Sequence, residues 1–365
     1  MKKTLILLSG AFIALGCGSY QKNTSKTTSS IPVDPTVYAS SITSAELKDM
    51  LYVYASDEFE GRETGEPGQK LAVEYLKKRY VDLGISSPLS GDNYFQKVNL
   101  ANQKTPVTQV SINGTTFENF KDIVSSSSAK TQTLNVNDVV YAGYGIEDEA
   151  YSDYKNIDVK GKVVIIKSGE PKNADGTFVT TGKTESTKWS AGRQATAFKR
   201  DAAIKNGAIA LLTVDDAMLK QYATFIEGRV NSGRDGRIVL TDKPDGILQF
   251  VVSENFAKAI HPDMLTLETS KKIDAKLNFS ITSEAKAIDS ENVVAYIKGS
   301  EKPDEIIVIS AHLDHEGIKD GEVYNGADDD GSGTVAILEI AEAFKKATDE
   351  GQGPKRSILF LHVTG

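Results

Sequence analysis

A strand, helix, strand succession near the end of the sequence constrains the fold most. Ile306-Ile307-Val308-Ile309 is an unbroken β-branched run, and Ser357-Ile358-Leu359-Phe360-Leu361 is a second apolar run. Continuous apolar runs of this length predict strands buried on both faces. Between them, Ser332 to Lys346 places Ile337, Ile340, Ala341 and Phe344 at helical spacing. Strand, helix, strand in that order predicts a βαβ unit and a parallel sheet. Val293-Val294-Ala295-Tyr296-Ile297 predicts a further buried strand. The fold class expected is α/β, with a mixed, mostly parallel sheet flanked by helices.

Upstream, Thr43-Ser44-Ala45-Glu46 has the form of a capping box, followed by Leu47, Met50, Leu51 and Tyr54 at helical spacing. The stretch Glu60 to Gly68 reads as a loop by its Gly and Pro content. A second helix follows, with Leu71, Ala72, Tyr75, Leu76 and Leu83 along one side and Gly84 as its stop. Packing alone accounts for both helices. From about 105 to 282 the texture is β-rich: Val139 to Ala142 and Lys162 to Ile166 predict strands, Ala195 to Lys205 a helix, and Ala208 to Val214 another strand. No fixed-period repeat is visible.

The N-terminal segment 1–17 is set apart from the fold. Lys2-Lys3 precede a mostly apolar stretch, Thr4 to Leu15, too short to span a bilayer as a mature helix. It ends Ala14-Leu15-Gly16-Cys17, with the sole cysteine of the chain last. This resembles the lipobox of bacterial lipoproteins, which implies acylation at Cys17, export, and a lipid anchor on the periplasmic or cell-surface side of a membrane. The competing reading is a plain secretory signal with Cys17 incidental. With one cysteine, no intramolecular disulfide is available. Residues 18–38, rich in Ser, Thr, Lys and Asn, read as a flexible tether.

The formal net charge is −8, and Lys and Arg cluster no further than doublets such as Lys77-Lys78. That argues against a nucleic-acid partner, which needs a concentrated basic surface. Charge alone leaves room for a peptide substrate with a positive amino terminus.

Chemistry concentrates between His312 and Gly333. Ser310-Ala311-His312-Leu313-Asp314-His315 follows the apolar strand, and Asn325-Gly326-Ala327-Asp328-Asp329-Asp330-Gly331-Ser332-Gly333 leads into the helix. Ligand groups in α/β folds gather at the carboxyl ends of strands. If the extended backbone continues, His312 and Asp314 point to the same side, as a ligand and the carboxylate that orients it can. The acidic triplet lies where free N–H groups of a helix start can hold a carboxylate. Plainer readings compete: a satisfied core histidine, a solvated acidic turn capped by Ser332, or a calcium loop. Asp328, Asp330, Ser332, Gly333 and Glu339 do occupy calcium-loop positions. That last reading fails, because Glu322 to Ala327 form no entering helix and Glu339 lies inside an ongoing one.

The same two stretches resemble the co-catalytic di-zinc aminopeptidases, a family that also holds glutamate carboxypeptidase, glutaminyl cyclases and the non-catalytic transferrin receptor. The similarity extends to Ser56-Asp57-Glu58-Phe59-Glu60-Gly61-Arg62-Glu63-Thr64-Gly65. The middle region looks like a protease-associated (PA) domain inserted in a peptidase domain, by Tyr141 to Ile146, Asp158 to Val164 and the Ala202 to Leu212 passage. The division implied is 1–17 signal, 18–38 tether, 39–104 first part of the peptidase domain of zinc exopeptidase fold, 105–282 PA insert, and 283–365 peptidase core.

The resemblance implies a zinc-dependent exopeptidase, an aminopeptidase first, that hydrolyses N-terminal peptide bonds with a water activated by two metals. His312 would be a terminal ligand of one zinc, Asp314 the catalytic-site residue that orients it, and Asp329 the carboxylate bridging both. Asp328, Asp330 and His315 receive no role. The family's Glu-Glu pair, a further Asp and a distant His do not lie within this sequence, and His261 and His362 do not fit them. These 365 residues are therefore expected to be a C-terminally truncated part of such an enzyme, inactive alone and weak in zinc binding. The alternatives are a carboxypeptidase or dipeptidase of the same family, a cyclase, and a binding protein on a degenerate peptidase scaffold. Substrate preference and oligomeric state are not readable.

Overall fold

The computed structural model describes residues 34–364, apart from 128, 234, 244 and 245. The expected signal segment 1–17, with the acylation expected at Cys17, and most of the expected tether lie outside the described residues. The last part of that tether is ordered. Asp34 accepts from the Thr36 backbone N–H at 2.9 Å and starts a short helix, α1 (Thr36–Ala39). Tyr38 then donates its hydroxyl to Glu350 at 2.7 Å.

Helix α2 (Ser44–Tyr54) begins where the capping box predicts: Thr43 Oγ1 accepts from the Glu46 N–H and donates to the Glu46 carboxylate. After a 3₁₀ turn at Asp57–Arg62 comes α3 (Pro67–Asp82), opened by a proline in its first turn. Its buried stripe is Gln69, Ala72, Val73, Leu76 and Tyr80. Leu71, expected inside, is 51% exposed, because the stripe that meets the sheet is centred one position further round the helix.

There follow β1 (Phe95–Gln103), β2 (Val107–Ile112), β3 (Thr115–Phe117), β4 (Ile123–Ser125), β5 (Gln132–Tyr141), β6 (Val163–Lys167) and α4 (Gly192–Lys205). The chain continues through β7 (Ala210–Val214), α5 (Asp216–Asn231), β8 (Arg237–Leu240), β9 (Leu248–Val252), α6 (Glu254–Ile260) and β10 (Lys271–Thr282). Last come β11 (Ala285–Ile297), β12 (Lys302–His312), the hairpin β13 (Gly317–Lys319) and β14 (Glu322–Tyr324), α7 (Ser332–Asp349) and β15 (Arg356–Val363).

Two large sheets result. An eight-stranded sheet in the order β3-β2-β10-β5-β6-β7-β9-β4 is drawn wholly from residues 107–282. One of its faces is closed by Phe117, Phe250, Phe256 and Phe279, the other by Val164, Trp189, Ala203 and Leu211. The second sheet has the order β12-β15-β11-β1-β8. Strand β8 crosses over from the β-rich segment to pair with β1.

The second sheet is mixed, and its parallel pairing is confined to β12 and β15, joined through α7. The short link from β11 to β12 reverses the chain, and β15 enters between them, antiparallel to β11. Helices α2, α3 and α7 close one face, where Tyr54, Leu76, Tyr80, Val335 and Leu338 pack on Val293, Ala295, Ile358 and Phe360. The expectation of a buried strand at Ile306 to Ile309 is not met. Ile306, Ile307 and Val308 are 54%, 49% and 52% exposed, because β12 is the sheet's edge and lacks a second neighbour among the described residues. No described helix is long and apolar enough to cross a membrane.

Candidate metal centre

The carboxyl ends of β12 and β15 and the start of α7 converge on one corner, and His312 is the last residue of β12. Its backbone is held on three sides. The N–H donates to Asp330 Oδ2 at 3.2 Å, Thr334 Oγ1 donates to the carbonyl at 3.0 Å, and the next N–H, of Leu313, donates to Val363 O at 2.8 Å.

The imidazole is held at both nitrogens. Nδ1 lies 2.9 Å from the Asp314 carbonyl and 3.5 Å from its Oδ1, and Nε2 lies 2.9 Å from Asp329 Oδ1. Burial pulls the His312 pKa down. The bond to Asp329, the bond to the Asp314 carbonyl and the charges of Asp314 and Asp330 outweigh it, so the pKa lies above its usual 6.5. A carbonyl facing Nδ1 requires a proton there. Asp329 Oδ1 also only accepts, so Nε2 donates in that bond, and it is the nitrogen that would offer a lone pair once its proton is lost.

β12 ends at His312, yet Asp314 still stands beside it, with its carboxylate 3.5 Å from Nδ1, and is nearly buried. Its Oδ2 accepts from Thr64 Oγ1. Behind it, Gln69 Nε2 donates to Ser290 Oγ at 2.7 Å and Thr364 Oγ1 at 2.8 Å, while Gln69 Oε1 accepts from the Gly65 N–H at 2.8 Å. Each buried polar atom here thus has a partner, which fixes the carboxylate in position.

The acidic triplet divides by role. The side chain of Asp329 is 75% exposed and meets His312. Asp330 turns inward: Oδ1 accepts from the Gly333 N–H at 3.2 Å and Oδ2 from the His312 N–H. It thereby caps α7 and ties the helix to the end of β12. A Cβ at Gly333 would lie 2.2 Å from Asp330 Oδ1, so the cap requires glycine there. Asp328 takes part through its carbonyl, which accepts from Ser332 Oγ at 3.2 Å. The helix is therefore capped by Asp330, not by the Ser332 side chain. The Asp329–Asp330 peptide bond is cis.

Sequence reasoning assigned no role to Arg62, Thr64 or Gln69. Arg62 is fully buried and bonds four backbone carbonyls around the site. One signal was available: Gln69 lies on the apolar stripe of α3, where a polar residue needs a buried partner. His362 and His261 stay away from the centre. His362 is buried against Tyr80 Oη at 2.8 Å, and His261 Nδ1 accepts from the Asp263 N–H.

His312 and Asp329 offer one imidazole nitrogen and one carboxylate oxygen, both donor types that zinc takes. They fit a zinc site as part of its ligand set. No group of three or more His, Cys, Asp or Glu able to hold a metal occurs among the described residues.

The glutamate carboxypeptidase 2 homolog of Caenorhabditis elegans is 36% identical over 86 residues, covering 23% of this chain and 10% of that protein. Transferrin receptor protein 1 of Gallus gallus is 32% identical over 109 residues, 30% of this chain and 13% of that protein. The matched part thus spans about a tenth of the length of such curated relatives. Among solved structures, an aminopeptidase from Aneurinibacillus sp. strain AM-1 aligns with a TM-score of 0.43 at 17% identity, over 90% of this chain and 64% of that one. Residues 292–365, which carry His312, Asp314 and Asp329, match the model of Peptidase family M28.

Proposed function

We propose that the protein is a zinc-dependent peptide hydrolase acting at a chain end, an aminopeptidase first, with His312 and Asp329 among its zinc ligands. One observation carries this reading. His312 Nε2 faces Asp329 Oδ1 at 2.9 Å while Nδ1 is anchored by Asp314, so an imidazole nitrogen and a carboxylate oxygen converge on one point. The match of this stretch to Peptidase family M28 supports it. Bound zinc supplies Lewis acidity and makes water easier to deprotonate. This chain's own residues do the positioning: Asp314 holds the imidazole and fixes its tautomer, Thr64 holds Asp314, and Asp330 holds the turn that presents Asp329.

Asp329 is the group suited to a bridging position between two metals, since its carboxylate both meets His312 and stays open to solvent on its other side. Residues 105–282 are proposed as a PA insert, and Cys17 as a lipid attachment site that would keep the protein at an exported membrane surface. The relation to transferrin receptor protein 1 favours a second reading, a binding protein that no longer hydrolyses peptides.

Hydrolysis of aminoacyl-p-nitroanilides by the full-length protein separates the two. Turnover that is removed by a chelator and restored by zinc supports the peptidase. Zinc-loaded protein with no turnover on aminoacyl, dipeptide or C-terminal glutamate substrates supports the binding protein.

A further inference from the structure

Arg62 is a buried cation whose hydrogen bonds, among the described residues, all go to backbone carbonyls. Its Nε donates to Leu313 O at 3.0 Å, Nη1 to Tyr54 O at 2.9 Å and Asn325 O at 2.7 Å, and Nη2 to Gly326 O at 2.9 Å. The guanidinium carbon lies 4.6 Å from the centre of the Tyr54 ring, and Tyr54 Oη donates to the same Leu313 carbonyl at 2.8 Å. A desolvated guanidinium is costly unless its donors are used, and here four of its five N–H groups bond backbone carbonyls. Burial lowers its pKa, and the charge of Asp314 acts against that.

The carbonyls it gathers belong to three separate segments. Leu313 lies between His312 and Asp314, Asn325 and Gly326 precede the acidic triplet, and Tyr54 ends α2. The backbone that delivers Arg62 is itself strained. Glu60, Gly61 and Arg62 have φ of 50°, 65° and 54°, a left-handed run in which two residues carry a Cβ. A Cβ at Gly61 would lie 2.5 Å from Tyr324 O and 2.6 Å from Gly317 O, so the turn is pressed onto the β13–β14 hairpin that links the two halves of the site. Strain retained beside a site, in a turn that is over-determined by bonds, points to a positioning task.

We infer that Arg62 is the positioning residue that sets the separation of His312 and Asp329, by tying the end of β12 to the turn before α7. It touches neither ligand's side chain. It acts through Leu313, Asn325 and Gly326, and lysine cannot replace it, since one ammonium cannot span three segments. This inference rests on the zinc reading for its metal-binding consequence, and on geometry alone for its structural one.

The test compares Arg62→Lys and Arg62→Met with Leu76→Ala, a fully buried core residue of α3 outside the clamp. Each is made in the full-length protein. Zinc affinity is read by competition with a chromophoric chelator, amide exchange over 313–315 and 325–331 by mass spectrometry, and global stability by urea unfolding. Expected is a tenfold or greater loss of zinc affinity and a selective loss of protection in both segments for Arg62→Lys, with Leu76→Ala keeping wild-type affinity at equal or lower stability. Should Arg62→Met fail to fold, Arg62→Lys decides. If Arg62→Lys loses no more affinity or local protection than Leu76→Ala, Arg62 is an ordinary core residue and the inference is overturned. If the wild-type protein binds no zinc, the zinc reading fails, and the exchange pattern alone decides the clamp.

Discussion

Tyr80 Oη lies 2.8 Å from His362 Nε2, a fully buried pair between α3 and β15 that sits behind the candidate site. Nδ1 of the same ring has no hydrogen-bond partner among the described residues. Burial holds the His362 pKa down at about 3, against an ordinary 6.5. The unfolded chain therefore takes up a proton that the folded chain refuses. The stabilisation is complete above pH 6.5 and is lost as pH falls toward 3, with a slope of up to about 1.4 kcal/mol per pH unit. His362→Gln, which keeps a polar partner for Tyr80, should flatten urea-unfolding stability across that window. An unchanged slope would show that other groups govern acid unfolding.

Thr64 is the hydroxyl that holds Asp314. Thr64→Val keeps the shape and leaves a buried carboxylate oxygen short of its donor, which costs about 1–3 kcal/mol. Chemical denaturation measures this. A change below about 0.5 kcal/mol, the level of a neutral surface substitution, would mean that water replaces the hydroxyl.

Gly333→Ala places a Cβ against Asp330 Oδ1. The carboxylate must rotate, giving up its bond to the Gly333 N–H and with it the cap of α7. Loss of such a cap costs about 1 kcal/mol. Because Asp330 also holds the His312 N–H, zinc affinity should fall along with stability. A destabilised variant with unaltered zinc affinity would separate the cap from the site.

On the proposed reading, Asp314 would act on zinc through His312. Asp314→Asn should weaken zinc binding by roughly 10–100-fold, the range found for outer partners of ligating histidines, while leaving the fold intact by circular dichroism. Wild-type affinity in this variant would assign the orienting task to the Asp314 backbone carbonyl alone.

Much of the site's corner was legible because it is local. The β12–α7–β15 unit follows from two apolar runs around a periodic helix. Alternation places Asp314 beside His312, and that relation holds although β12 ends at His312. The pairing of His312 with Asp329 needed the family resemblance, since spacing alone did not select among three adjacent aspartates. The structure separates them by direction: Asp330 is taken by the helix cap, while Asp329 faces the imidazole. What stayed hidden was non-local. Arg62 acts on carbonyls more than 250 positions away, which no pattern within a loop can announce. The exposure of Ile306 to Val308 was misread for a similar reason, because edge or centre is a property of sheet order and not of a strand's own residues.

The central claim is that His312 and Asp329 hold metal together, and zinc titration of the full-length protein tests it most directly. Competition with a chromophoric chelator would be read for wild type, His312→Ala and Asp329→Ala, with folding confirmed for each. The account predicts that either substitution weakens zinc binding by more than the roughly 10–100-fold expected of an outer partner. Zinc affinity at the wild-type level in both variants would contradict it.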